Sequence, residues 1–313
     1  MTDDSDRKVA DSRRRIDVSS VDADAAAPDG GYATATGFAV EGGRARGLRQ
    51  AFVVAETEYR LAVRNRWAIA MTVVFAAFAL GLTTFSGAEV SPEGYERTVA
   101  SLAVLAVYLV PLVALAFGYD AIVGRADSGW LQTLFALPVS RGWIALGTTL
   151  GRAVVLASAL VIGFGVAGGF LLREFGLAGF ETYVGFLLAT VGLGLVFLAI
   201  GVALSALATE KAHALGLALL AWAWFVLLHD LLALGVISAA SLTDDAVSAL
   251  LLTNPAGVYR AIVLGGLGAG GDAGYAGVLA EAGLSTTVLV GTFLGWLLVP
   301  VALSVLAIRR RAV

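Results

Sequence analysis

The sequence predicts an all-α integral membrane protein with six transmembrane helices, an amphipathic N-terminal interfacial helix and both termini cytoplasmic. Three observations lead there. Of 313 residues, 58% are hydrophobic and 14% charged, with a mean hydropathy of +0.85, whereas a soluble domain carries about 25% charged residues. The charges are pushed to the ends and into short clusters, which leaves apolar runs of the roughly 20 residues that cross about 30 Å of hydrocarbon as helix. The basic residues, finally, segregate to one side of those runs.

Residues 1–46 form an acidic cytoplasmic tail. Its first 43 residues hold five Lys/Arg against nine Asp/Glu, and with few large apolar side chains they cannot offset the entropy of ordering, so the tail is expected to be disordered. Ser12-Arg13-Arg14 resembles the start of a twin-arginine export signal. That signal needs an apolar stretch close behind it, and Asp17, Asp22, Asp24, Pro28 and Asp29 follow instead. The tail is therefore expected to stay in the cytosol.

Residues 47–66 come next. Leu48, Phe52, Ala55, Tyr59 and Ala62 recur at helical spacing, backed by Arg49, Glu56, Arg60 and Arg64, and this pattern predicts an amphipathic helix in the inner interface. A cytosolic continuation of the first span has the same periodicity. Phe52, Tyr59, Arg60 and Arg64 are the candidate interfacial residues.

The transmembrane region is 67–308, with spans at about 67–86, 99–118, 152–172, 182–208, 212–231 and 285–308. The fifth is the weakest, being bracketed by His213 and His229. Two further apolar stretches, closed by Asp244-Asp245 and interrupted by Arg260 and a run of glycines, are too short or too polar to span. They fall in a long external loop, 236–283, in which short interfacial helices can form. Residues 309–313 are a basic cytoplasmic end. With this layout the inner segments from Arg44 onward carry 13 basic and 5 acidic residues, and the outer loops carry 3 and 10; that asymmetry sets the orientation. Many of the 38 glycines lie within spans, where small residues let helices approach closely.

Several chemistries are excluded by composition. There is no Cys, so disulfides and thiolate metal sites cannot form. The two lysines, Lys8 and Lys211, are not in a phosphate-binding loop, and the two histidines, His213 and His229, lack metalloprotease spacing. No G-x-S-x-G elbow occurs. The chain is expected to be no enzyme, to hold no metal and to bind no nucleic acid.

The most informative stretch runs from Gly118-Tyr119-Asp120-Ala121-Ile122-Val123-Gly124-Arg125 through Gly129-Trp130-Leu131 to Leu137-Pro138-Val139-Ser140-Arg141. Leu131, Leu134 and Phe135 share a helical face and Pro138 ends it. That face can seat in a partner's groove or pack against the chain's own spans.

These residues resemble the permease subunits of ABC-2 type exporters, nearest the branch assigned to multi-copper enzyme maturation, nitrous oxide reductase among its targets. Gly118, Tyr119, Asp120, Ile122, Gly124, Gly129, Leu131, Pro138, Val139, Ser140 and Arg141 match that pattern, and Asn254-Pro255 with Tyr259-Arg260 extends it. Two positions depart from it. Arg125 stands where Glu is common, and Thr148 after Gly147 where Lys is common. The resemblance implies a dimer of permeases, homo- or hetero-, with the loop 118–148 of each seated on a separate ATP-binding cassette subunit that holds the ATP and Mg. Asp120, Gly124, Gly129, Leu131, Leu134, Phe135, Pro138 and Arg141 become the candidate ATPase-coupling residues.

Asp230 and Asn254 are the candidate cargo or gate residues, since an acid near the membrane can bind cargo or relay protons. A water-facing interfacial cap explains Asp230 equally. A membrane scaffold that anchors maturation factors and transports nothing is the alternative function.

Overall fold

The computed structural model describes residues 39–85, 91–127, 141–240, 243–266 and 284–310. Their regular structure is helical, with no strand among the described residues. Helix α1 spans Ala39–Arg64, α2 Trp67–Phe85, α3 Pro92–Gly118 and α4 Val123–Asp127. They are followed by α5 at Arg141–Phe175 and α6 at Phe180–Leu207. Helix α7 covers Lys211–Ala239 and contains a π-helical stretch, Ala223–Leu228. Helices α8 (Asp244–Leu252), α9 (Pro255–Gly266) and α10 (Thr286–Arg310) complete the set.

Six helices are long and apolar enough to cross a membrane: α2, α3 continued into α4, α5, α6, α7 and α10. This is the all-α, six-span protein that the charge-free windows predict. Local chemistry sets several boundaries. Ser91 caps α3, its Oγ accepting from the Gly94 N–H at 3.0 Å, and Pro92 occupies the first helical turn, where its missing N–H costs nothing. Arg66 takes a left-handed φ of 60° between α1 and α2, so the two are separate helices and α1 is not an unbroken continuation of the first span.

Helix α6 sits at the centre. Two thirds of its most apolar window is buried (67%), against 22% for α2, 22% for α7 and 17% for α10, which puts the latter three at the periphery of the bundle. α6 packs on α3, α5, α7, α9 and α10. Its approach to α3 is backbone to backbone: a Cβ on Gly201 would lie 3.2 Å from the Gly118 Cα, and one on Gly118 would lie 3.1 Å from the Gly201 Cα and from the Leu198 carbonyl oxygen. Without a hydrophobic drive between helices in lipid, such close contact supplies the packing energy.

Three expectations change. Helix α1 begins at Ala39, so residues 39–46 are helical where the sequence predicts the end of a disordered tail. Helix α5 begins at Arg141, inside the segment read as loop 118–148. Its 35 residues make about 50 Å of helix, so its first turns project beyond the hydrocarbon.

The third change concerns 236–283. α7 runs on to Ala239, and α8 and α9 form a helical pair bent by 109°. The pair is no peripheral loop: Asn254, Ala256, Val258 and Tyr259 are buried, and α9 packs on α3, α6 and α10. The Tyr259 hydroxyl lies 3.0 Å from Thr190 Oγ1 of α6. Residues 267–283 lie outside the described residues.

The Gly118–Gly201 crossing yields a test. Gly201→Val should cost about 2 kcal/mol through overpacking and lower the thermal unfolding midpoint in detergent, whereas Gly216→Val, at a glycine with open space around it, should change it far less. Equal losses would show that the crossing is not a tight contact.

Candidate functional site

Among the described residues, paired polar side chains form two knots, one toward each end of the bundle. The first surrounds the segment that carries the sequence motif. α3 ends at Gly118, a turn follows through residues 119–122, and the short α4 begins at Val123. Ser205 of α6 fixes that start by accepting the Ile122 and Val123 N–H groups at 3.0 and 3.1 Å. These are donors that a helix start leaves unsatisfied, and at a buried position they need such an acceptor.

Around α4 lies a charged network. The Arg125 guanidinium pairs with the Glu58 carboxylate of α1, and its Nη1 donates to Thr148 Oγ1 of α5 at 2.7 Å. Arg152 of α5 approaches the other oxygen of Glu58 at 3.7 Å, donates to Asp120 Oδ1 at 2.8 Å and to the Phe117 carbonyl, and lies over the Phe117 ring at 5.1 Å. Lys211, at the start of α7, completes the group 3.9 Å from Asp120 Oδ2. Glu58, Arg125 and Arg152 are nearly buried, their side chains only 8%, 12% and 13% exposed, so their attraction is weakly screened and an unmatched charge among them would be costly. Asp120 and Lys211 are at 35% and 52%, which makes their pair the weaker one. A cavity of 230 Å³ opens beside the network, lined by Glu58, Asn65, Trp67, Phe117, Asp120 and Arg152 among others.

The two positions that depart from the family pattern, Arg125 and Thr148, are thus hydrogen-bonded to each other. The charge of Arg125 is answered by Glu58, on a helix that the motif does not include. What brings Glu58 there is a face of small residues. Ala51, Glu58 and Ala62 are buried and Ala55 half-buried, and they seat on glycines of α5: a Cβ on Gly147 would be 2.6 Å from the Ala51 carbonyl oxygen, and one on Gly151 would be 2.5 Å from Glu58 Cβ. Phe52 and Tyr59, which share the apolar spacing of Ala55 and Ala62, turn away from α5 and are 73% and 43% exposed. Arg60 pairs with Glu56 at 2.5 Å and Arg64 is exposed.

Of the candidate coupling residues, the structure brings Asp120 into the network and stacks Gly124 on it, a Gly124 Cβ lying 3.4 Å from Asp120 Cβ. Arg141 starts α5. Gly129, Leu131, Leu134, Phe135 and Pro138 lie outside the described residues. Glu58, Arg152, Thr148 and Ser205 are members that the sequence reading did not select. Arg152 had a visible signal, as the charge that interrupts the third apolar run; Glu58 had one only as a carboxylate in line with three alanines.

The second knot joins α7 to the bent pair. Asn254 Nδ2 donates to Asp230 Oδ1 at 2.8 Å and to the Phe225 carbonyl at 2.9 Å, inside the π-helical stretch. Its own oxygen accepts the Ala256 N–H at 3.0 Å, capping α9 just ahead of Pro255. Arg260 pairs with Asp230, and His229 Nε2 lies 2.9 Å from Thr253 Oγ1. The structure therefore brings the two candidate cargo or gate residues together. Asp230 is not a water-facing cap: its side chain is 17% exposed and spends its oxygens on Arg260 and Asn254.

A double-mutant cycle tests the first knot. Glu58→Gln should lower stability by about 3 kcal/mol, the cost of leaving buried charge unpaired, read as a lower unfolding midpoint. The Glu58→Gln/Arg125→Gln variant should lose less than the two single variants together by about 1–3 kcal/mol. Strict additivity would mean that the pair is uncoupled.

Comparison with known proteins bears on the same residues. Residues 52–313 match the model of the ABC-2 family transporter protein. A relative named "Probable ABC transporter permease protein NosY" from Stutzerimonas stutzeri is 38% identical over 275 residues, covering 84% of this chain and 99% of that one. The protein of the same name from Pseudomonas aeruginosa is 37% identical over 274 residues, covering 84% and 98%.

Proposed function

The chain belongs to the ABC-2 transporter family and is a transmembrane permease subunit of an ABC transporter, and we propose that it receives the stroke of a separate ATPase chain through the segment 118–148. The ATPase binds ATP and Mg; this chain supplies the path through the membrane and no catalytic group. Two permeases, identical or different, pair across the membrane, and the N- and C-termini lie in the cytoplasm. The excess of basic residues on the α1, α4 and α10 ends supports that orientation.

One observation carries the reading. The motif segment is held by contacts to four other helices: Ser205 on α6, Thr148 and Arg152 on α5, Glu58 on α1 and Lys211 on α7. A push on α4 therefore reaches most of the bundle at once, as expected of a rigid lever driven by ATPase closure. The face of Leu131, Leu134 and Phe135, on the exit from α4, is the surface proposed to seat in the ATPase. Asp230 and Asn254, at the opposite end, hold the bent α8–α9 pair against α7 and so act on the outer gate by positioning it.

The material moved is proposed to serve copper-enzyme maturation, in keeping with the motif resemblance. The scaffold alternative differs in one measurable respect, since its partners would bind whatever the nucleotide state.

Affinity purification of the chain from its native membrane in mild detergent is the test. An ATP-binding cassette subunit should come with it, its ATPase activity should rise on association, and Leu134→Asp should abolish recovery while leaving the size-exclusion profile unchanged. Undiminished recovery with Leu134→Asp would overturn the seating assignment. Recovery of non-ATPase partners alone, indifferent to nucleotide, would favour the scaffold.

A further inference from the structure

Helix α1 has three sectors. At about 100° per residue, Ala51, Ala55, Glu58 and Ala62 fall in one line, and that line is seated on α5. About a quarter turn away run Leu48, Phe52, Tyr59 and Val63, all exposed, and among the described residues nothing covers them. Farther round lie Arg49, Glu56, Arg60 and Arg64. Glu56 is committed to Arg60, which leaves Arg49 and Arg64 as that sector's surplus charge.

Two more cations lie at the same end of the molecule. A Cβ on Gly142 would be 3.1 Å from Arg309 Nε, and the neighbouring Trp143 fills the space against Gly47 of α1. Arg310 follows, exposed. The apolar sector of α1 is followed directly along the chain by the exposed side of α2, where Trp67, Ile69 and Val73 are about half exposed. An apolar strip followed along the chain by the exposed side of an apolar span, and edged by arginines that pair with no acid among the described residues, has the chemistry of an anionic lipid surface.

We propose that α1 and the end of α10 bind anionic phospholipids, with acyl chains against Phe52 and Tyr59 and the headgroup phosphates of separate lipids along Arg49, Arg64, Arg309 and Arg310. A free phosphate would meet the arginines and leave the aromatic strip in water. A soluble protein would cover the strip without accounting for the exposed apolar side of α2 that follows it in the chain. The choice of leaflet rests on the orientation proposed above; the binding itself does not.

The probe is phosphatidylglycerol against phosphatidylcholine of the same chain length, added at equal mole fraction to the full chain in mild detergent. Phosphatidylglycerol should raise the unfolding midpoint by about 5 °C more than phosphatidylcholine, and the difference should vanish in R49Q/R64Q/R309Q/R310Q. Phe52→Ser/Tyr59→Ser should weaken the response to both lipids. Equal midpoints in the two lipids, a difference that survives in the arginine variant, or the same rise with inorganic phosphate alone would each overturn the proposal. Native mass spectrometry of R49Q/R64Q, counting retained phosphatidylglycerol, gives the same decision should the fourfold variant not fold. A loss of lipid preference with ATPase recovery intact separates this inference from the coupling reading.

Discussion

A single carboxylate, that of Glu58, organises one end of this protein. Removing a charge from water costs several kcal/mol even after relaxation, so a buried Glu persists only where cations meet it. Here two do, Arg125 from α4 and Arg152 from α5. The consequence is geometric. α1 must lie close enough to α5 for the carboxylate to reach both, and that closeness is possible because α5 offers Gly147 and Gly151 where larger residues would hold the helices apart. The charge balance of the network, the glycine face of α5 and the small-residue face of α1 are one constraint seen from three sides.

The two polar knots differ in design. At the Glu58 end, charged groups bind several helices to a short segment. At the Asp230 end, a carboxylate, an amide and a guanidinium tie a local, bent helical pair to one helix, α7. The apolar interior between them is held by close packing around α6, as at Gly118 and Gly201, and in lipid that packing replaces the hydrophobic drive.

Much of this was legible in the sequence and some was not, for identifiable reasons. The six spans follow from charge-free length, which in a bilayer is close to a sufficient condition because backbone groups must be satisfied within the segment. Asp120 and Gly124 were legible through the motif. The α8–α9 pair was hidden because Arg260 looks incompatible with burial until Asp230, 30 positions away, answers it. The contact of α1 with α5 was not legible, because apolar residues at helical spacing do not show which of them meet another helix: here the alanines take the helix contact while Phe52 and Tyr59 face outward. Arg125 and Thr148 read as two separate departures, and only the fold shows that they touch.

The π-helical stretch in α7 has a consequence for how the chain can vary. A π turn holds one more residue than the α-helix would at the same length, and in this one the Phe225 carbonyl accepts from an outside donor, Asn254 Nδ2. The extra residue also sets the rotational phase of everything after it. Were one residue between Ala223 and Leu228 lost, the helix could close into regular α geometry, and His229 and Asp230 would swing by about 100° away from Asn254 and Arg260. The length of this segment is therefore a phase constraint: substitutions within it alter side chains, whereas a single insertion or deletion alters which helices the C-terminal part of α7 can address.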